Sequence, residues 1–553
     1  MSEQKNQKKG PKYASSFKEQ FTIRGMVIGA IGAIILTMSS MFVALKLGAL
    51  PWPIMFVALV SMFTLKGLGN TNINEINVAH TAMSSGAMVA GGLAFTLPGI
   101  WMINPEAEVS YIALFVITLG GVILGLIFTA LIRKYFVVTK ELPYPMGQAA
   151  AETLVVGDEG GKKAGTLFAS LGGAAVFTVL RDWFGTFGGG VVWFKKMMNY
   201  GSLGGFWLSP MLIAVGYIIG PVAIGVWFLG ALIGDLGILI GGQAMGIFDA
   251  VTASNIKASL GIGMMVGTGF GIIVKGILPK AKEIFGPMFS KKNLGGSVIN
   301  LRWAPVAMVI LAFLFTVIAD MGVVASIITI VGVWLATAMS AQCVGQSGIN
   351  PMEIFGIIVL LAAKAASSIG QTEAFFVAAI VAVAAGLVGD VMNDFKAGHI
   401  LNSDPKAQWL AECIGGIIGG FVSVIVLMVI LRAYGAEAFG NPDMFPAPQA
   451  SAVAAMVGGI SHMPAFIIGL IVALVLYILN FPVMTLGLGV YLPFYLSATA
   501  FIGGALRFVT MKSTPKFEES GNGQIIAAGL LGGEAVVGVI IALIQAIQIM
   551  SAL

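Results

Sequence analysis

The sequence predicts an all-α integral membrane protein with broken or re-entrant segments. Three observations predict it. Of 553 residues, 58% are hydrophobic and only 10% charged, with a mean hydropathy of +0.96, against roughly 25% charge in soluble domains. Apolar runs, many near the roughly 20 residues that a hydrocarbon core requires, recur from residue 23 to the C-terminus, sixteen or seventeen in number. Glycine supplies 74 residues, a frequency typical of helices that pack closely or break inside a bilayer.

In chain order the runs fall at residues 23–45, 52–65, 78–100, 111–132, 166–183, 204–220, 222–240, 260–278, 303–319, 323–339, 354–369, 374–391, 410–431, 450–460, 465–479, 483–506 and 525–547. Several are short or Gly-rich, the pattern of a segment that dips in and returns. Residues 1–22, with Lys5, Lys8, Lys9, Lys12 and Lys18, read as a basic cytoplasmic tail. The apolar run that follows is too long for a cleaved signal and lacks a small-residue cleavage pattern. Lysine and arginine bias then assigns the tail, Arg133, Lys134 and Lys140 to the cytoplasm. The strongest internal cytoplasmic marker is the stretch 275–302, where Lys275, Lys280, Lys282, Lys291, Lys292 and Arg302 face one acid, Glu283. It divides the chain into a first membrane half at 23–278 and a second at 303–553, with 279–302 as the joint. The acidic loops 104–108 and 437–443 fit the opposite side.

The charge pattern excludes other classes. The net charge of +5 is accounted for by these loops, and no basic face suited to nucleic acid is visible. Cys343 and Cys413 form neither a disulfide framework nor a zinc spacing. His80, His399 and His462 are too scattered for a metal site by spacing. No GxSxG, HExxH or P-loop is present.

Two weak internal echoes suggest duplicated halves. The run LPYPMGQAA from Leu142 resembles MFPAPQASA from Met444, and Asn74-Glu75-Ile76 has a partner in the stretch from Asn350 through Glu353 to Ile354. Both separations approach half the chain, as in many secondary transporters. The parity of crossings leaves open whether the repeat is inverted or parallel.

Ionisable groups within a membrane are costly, so each asks for a reason. In NTNINEINVAHTAMSSG, residues 70–86, Asn77, Thr81, Ser84 and Ser85 fall on one helical face that suits a wet cavity, with Glu75 before them; a capped helix start is the plain alternative. In ELPYPMGQAAAETL, residues 141–154, Pro143 and Pro145 force extended backbone around Tyr144. The run that follows is half a bilayer long. A half-helix N-terminus at mid-membrane suits a carboxylate, and Gln148 and Glu152 share one face, where Gln serves an amide and Glu an ammonium or a proton. The plain alternative is an interfacial loop and surface helix. In AASSIGQTE, Ser367, Ser368 and Gln371 supply hydroxyl and amide groups. Asp390, Asn393 and Asp394 share a further face, for which a charged helix end is the alternative. Glu534, in the apolar run GLLGGEAVVGV, has no charged neighbour in sequence and must find a partner in the bundle or hold a proton.

In these stretches the chain resembles the oligopeptide transporter family, which includes the yellow-stripe-like metal-chelate carriers and a prokaryotic branch. The pieces run almost end to end: NINEINVAHTAMSSGAMVAGGLAFTLPGIW, KELPYPMGQAAAETL, GDVMNDFKAGHILNSDPKAQW, MFPAPQASAVAAMV, GVYLPFYLSATAFIGGALR and AAGLLGGEAVVGV. The resemblance implies about sixteen transmembrane helices in two related halves and uptake of small peptides or metal–chelator complexes with protons. It also suggests Glu75, Gln148, Glu152, Asp390 and Asp394 as path-lining positions. His80 stands where glutamine is expected in eukaryotic members, which leaves the substrate class open.

The functional expectation is a proton-coupled secondary importer of small peptides in a prokaryotic inner membrane, with metal–chelator complexes of siderophore or nicotianamine type as the alternative substrate. It has no cofactor beyond the proton gradient, binds no metal of its own, and is expected to form a homo-oligomer, a dimer. The expected substrate contacts are Asn77, Thr81, Ser84, Ser85, Tyr144, Gln148, Glu152, Ser367, Ser368 and Gln371; the expected proton carriers are Glu75, Glu152, Asp390, Asp394 and Glu534. A channel would share the Gly-rich breaks but conduct without a gradient. A membrane enzyme would need a nucleophile and base on facing helices, which the sequence does not show.

Overall fold

The computed structural model describes residues 12–47, 53–159, 161–187, 190–282, 298–299, 301–441 and 444–552. Most of the basic tail and most of the proposed joint, including Lys5, Lys8, Lys9, Lys291, Lys292 and Glu283, lie outside them. The main helices are α1 (Ile23–Leu47), α2 (Pro53–Leu68), α3 (Ile73–Ala94), α4 (Tyr111–Arg133), α5 (Pro145–Glu159), α6 (Gly161–Thr178), α7 (Pro210–Ile219), α8 (Pro221–Ala231), α9 (Ala250–Gly271) and α10 (Ala304–Val317). They continue with α11 (Gly322–Ser347), α12 (Met352–Ala366), α13 (Gln371–Ile400), α14 (Pro405–Tyr434), α15 (Pro448–Gly458), α16 (Met463–Ile478), α17 (Val483–Tyr491), α18 (Phe494–Ser513) and α19 (Asn522–Ala552). Wider π turns extend α4, α8 and α9. A small antiparallel hairpin pairs β1 (Val191–Trp193) with β2 (Gly205–Trp207), Val191 opposite Trp207.

The protein is a multi-pass α-helical membrane protein. Among the described residues nine helices are long and apolar enough to cross a bilayer, and a tenth span arises if α15 and α16, bent by 112°, count together. The sequence yields more runs than this because several are half-length. Helices α7 and α8 part at Gly220, whose φ of 99° permits the break, and α17 and α18 part at the Leu492–Pro493 step, where proline cannot continue the donor ladder.

Local chemistry fixes the helix starts. Asn72 accepts from the Glu75 N–H at the head of α3, and Ser110 from the Ala113 N–H at that of α4. Asp404 accepts from the Lys406 N–H, with Pro405 in the first position of α14. The central helix is α13, whose most apolar window is entirely buried. It runs antiparallel to α3: Gly92 approaches Val383, whereas His80 and Ser84 reach Asp394.

Close glycine approaches occur in matched pairs, helix n and helix n+10 making corresponding contacts. A Cβ on Gly263 or Gly267 of α9 would stand 2.2 Å from the carbonyl oxygens of Phe466 and Leu470 on α16. On α19, Gly529 and Gly533 crowd the Leu167 and Leu171 carbonyls of α6 at 2.5 and 2.2 Å. Gly216 of α7 meets Ala500 O of α18, and Gly489 of α17 meets Trp227 O of α8, both at 1.9 Å. Gly121 and Gly125 of α4 lie on Ile380 O and Ala384 O of α13 as Gly415 and Gly419 of α14 lie on Ala82 and Gly86 of α3.

The two half-length helices α5 and α15 are held alike. Tyr144 and Ala447, each just before the proline that opens its helix, have φ of 45° and 38°, left-handed where the prolines predict extended backbone at Tyr144 and uncommon without glycine, because a long-range backbone hydrogen bond holds each residue in place. The Tyr144 N–H donates to Gly345 O at 2.9 Å, and the Ala447 N–H to Leu45 O at 3.0 Å. At the other ends Lys66 Nζ donates to Gly157 O at 3.1 Å and Lys364 Nζ to Val457 O at 2.8 Å, cations at the negative end of the helix dipole. The first sequence echo therefore falls on two helix starts docked alike, and the second falls on the first turns of α3 and α12, which these contacts do not match to one another.

Candidate functional site

Helices α3, α13 and α14 meet around a buried acidic cluster. Asp394 accepts from His80 Nε2 at 2.9 Å and from Ser84 Oγ at 2.7 Å. Asp390 lies one turn earlier on the same face of α13, and its Oδ2 has no hydrogen-bond partner among the described residues. From α14, Glu412 faces both aspartates, and neither of its carboxyl oxygens finds a donor among the described residues. Gln408, one turn from Glu412, donates to Asp394 O at 2.7 Å, and Ser85 Oγ donates to Glu412 O at 3.0 Å. His80, Asp394 and Glu412 are fully buried and Asp390 nearly so, at 4% exposure.

The packing explains why these side chains converge. Glycines at 415 and 419 let α14 lie directly on the α3 backbone, which aims Glu412 across the contact at α13. Below the cluster, Asn74 Nδ2 donates to Leu401 O at 2.8 Å, and both Asn74 and Asn77 donate to Ser403 Oγ at 3.0 Å. Those bonds pin the α13–α14 connection to the start of α3. Asn77 Oδ1 and His80 Nδ1 have no partner among the described residues.

Three carboxyl groups to which no lysine or arginine is bonded among the described residues are expensive in a low-dielectric interior. Like charges this close do not all ionise together. Acceptors as sparsely paired as Asp390 and Glu412 take up protons or a cation, and among the described residues no group of three His, Cys, Asp or Glu has the geometry of a metal site. What the arrangement can do chemically is bind and release protons where α3, α13 and α14 meet.

The structure brings Asn77, Thr81, Ser84, Ser85, Asp390 and Asp394 together, Thr81 donating to Asn77 O at 2.8 Å. On α5, Gly147 donates to Asn393 Oδ1 at 3.1 Å, so the half-helix N-terminus abuts the helix that carries the cluster, and Asn393 takes an N–H expected to be free for a carboxylate. Tyr144 is buried, its hydroxyl donating to Ala341 O at 2.9 Å. Gln148 is half-buried and Glu152 exposed, in a recess with Thr153 and Gln524.

Other expected residues sit elsewhere. Glu75 is held by Arg24 through Nε at 2.8 Å and Nη2 at 2.7 Å, and by Thr22 and Thr71 hydroxyls, a fully satisfied pair. Glu534 is joined to Arg181 at 2.9 Å and accepts from Ser209 and the Met211 N–H, which ties α19 to α7. Ser367, Ser368 and Gln371 lie at the α12–α13 turn, about 35 Å along α13 from Asp394 by helical rise. Their side chains cannot share the acidic cluster.

Sequence reasoning missed Glu412 and Gln408. The signal was present: Glu412 is a lone acid in an apolar run, the criterion that singled out Glu534. Outside the membrane, partial desolvation and the nearby Lys280 hold Lys140 below the usual lysine range.

Comparison with known proteins follows the same outline. A family model described as OPT oligopeptide transporter protein matches residues 20–545. A "Putative oligopeptide transporter" of Haemophilus influenzae is 27% identical, covering 92% of this chain and 93% of that protein. Two proteins of Oryza sativa subsp. japonica are also similar: a "Probable metal-nicotianamine transporter" at 24% identity over 76% of this chain and 73% of its own, and an "Iron-phytosiderophore transporter" at 25% over 81% and 78%.

Proposed function

The chain belongs to the OPT oligopeptide transporter family, and from that premise we propose that it is a proton-coupled secondary active importer of small peptides. It sits in a prokaryotic inner membrane with its N-terminus in the cytoplasm. The buried cluster of Asp390, Asp394, Glu412 and His80 is the single observation that carries the coupling. With protons on the acids, α14 rests on α3 and α13 without charge repulsion; when they leave toward the cytoplasm, repulsion parts the same contact. Glu75 and Glu534, each held by an arginine, serve as anchors in this scheme.

Two related halves of inverted topology supply the alternation. The matched glycine contacts and the matched docking of α5 and α15 support the halves, and the antiparallel course of α3 and α13 supports the inversion. Two half-helices then enter from opposite sides, the arrangement in which solute sites of secondary transporters lie at the repeat interface. Gln148 on α5 lines the peptide's approach, while Tyr144, buried and bonded to Ala341 O, fixes the start of that helix.

The plant relatives carry names that specify metal chelates, and this favours a second reading in which the solute is an intact metal–chelator complex. Such a complex presents the same carboxylates and amines as a peptide. Uptake into proteoliposomes under an inward proton gradient distinguishes the readings: a peptide pool and an iron–chelator complex are offered separately, and internal contents are read by mass spectrometry. Peptide accumulation abolished by a protonophore is the expected result. Accumulation of the chelate alone selects the second reading, and gradient-independent leak of both rejects coupling.

A further inference from the structure

A cavity of about 450 Å³ lies between α9, α11, α12 and α16. Val266, Phe270, Val331, Leu335, Ile358 and Leu470 are among its walls, and every lining side chain is apolar or a glycine. Water inside would have no hydrogen-bond partner. At the rim, Phe270, Val331 and Ile327 are 40%, 46% and 52% exposed on helices that cross the bilayer. The opening therefore faces lipid chains.

The corresponding groove among α19, α6, α1 and α2 is closed by the protein itself. Phe63 of α2 packs on Phe168 of α6 with ring centroids 5.3 Å apart, and Leu59 and Leu171 close on Gly532. In the register that matches Gly263 with Gly529, Gly532 corresponds to Val266. The gap thus belongs to one half of the molecule, where Ala362 on α12 supplies no ring.

A charge lies beside the gap. Lys275, two residues beyond the lining Ile273, donates to Ile478 O and Asn480 Oδ1, both at 2.6 Å and both neutral. With Lys280 and Lys282 it leaves residues 270–282 with three cations and no acid. Basic residues at a membrane edge attract anionic headgroups.

We propose that this cavity seats an acyl chain of an anionic phospholipid whose headgroup rests on Lys275. The site is independent of the transport reading. A dry apolar volume of this size within a bilayer is filled by the chemistry at its mouth, and the lysines select the headgroup.

The test is native mass spectrometry of the full chain, delipidated by detergent exchange and titrated with phosphatidylglycerol or phosphatidylcholine. One phosphatidylglycerol should be retained per chain, with a preference of about tenfold over phosphatidylcholine given the lysines at the membrane edge. Ala362→Phe, which places on α12 a ring like that of Phe63 on α2, should abolish retention; Val331→Trp at the rim should do the same without touching the core. Lys275→Gln combined with Lys280→Gln and Lys282→Gln should keep binding but lose the preference. Equal binding of both lipids by the unaltered protein, retention undiminished in a monodisperse Ala362→Phe or Val331→Trp protein, or a cross-linked second copy covering the mouth would each overturn the proposal.

Discussion

Replacing Glu412 by glutamine separates a coupling role from a structural one. Glu412 meets Asp394 carboxyl to carboxyl, and Glu412→Gln leaves side-chain volume nearly unchanged and keeps an amide that can donate to that carboxylate. Its effect on stability should stay within about 1 kcal/mol. The effect on transport should be large. A pH difference of about two units across a liposome is worth roughly 2.7 kcal/mol per proton, which sustains about 100-fold accumulation of a neutral solute moved with one proton. The Glu412→Gln protein should lose this concentrative step and equilibrate its solute near a ratio of one, while counterflow exchange at equal pH on both sides persists. The assay is accumulation of labelled tripeptide in proteoliposomes, with counterflow as the control for a folded, substrate-binding protein. Undiminished accumulation by Glu412→Gln would refute the assignment of the cluster. Loss of accumulation and counterflow together, with the protein monodisperse and thermally unchanged, would refute it too, because the residue would then serve the solute.

Arg181→Gln should behave in the opposite way: it strands Glu534 in a buried site and should cost about 3–5 kcal/mol, visible as a lower melting temperature in detergent before any transport measurement. Gly216→Val and Gly489→Val should each destabilise by several kcal/mol, since a Cβ at either position would meet a carbonyl oxygen at 1.9 Å, and comparable losses in thermal unfolding would match their corresponding positions. Ser368→Ala with Gln371→Ala should leave uptake within about twofold of the unaltered protein, because an exposed turn far from the acidic cluster carries little energy; a tenfold rise in KM would return them to the solute path.

Much of the molecule was legible in one dimension. Apolar length and low charge determined an all-α membrane protein, because lipid leaves the backbone no partner but itself. The prolines flanking Tyr144 and Ala447 announced half-length helices, because a proline step restricts backbone dihedrals wherever it occurs. Polar spacing in residues 77–85 put Asn77, Thr81, Ser84 and Ser85 on one face, and that face does meet Asp394. These are local consequences of residue type and period.

Tertiary structure decided which acids are paired. Glu75, Asp390, Glu412 and Glu534 look alike in sequence, each an acid in or beside an apolar run. Their fates differ because Arg24 and Arg181 approach two of them from helices or turns far away in the chain, whereas α14, brought onto α3 by Gly415 and Gly419, turns Glu412 toward two aspartates. Gln371 and Asp394, by contrast, are set apart by helical rise alone, near opposite ends of α13. Helical period specifies the face on which a charge stands; what stands opposite depends on the crossing of helices distant in sequence, and that partner determines whether the charge is neutralised, anchored or free to exchange a proton.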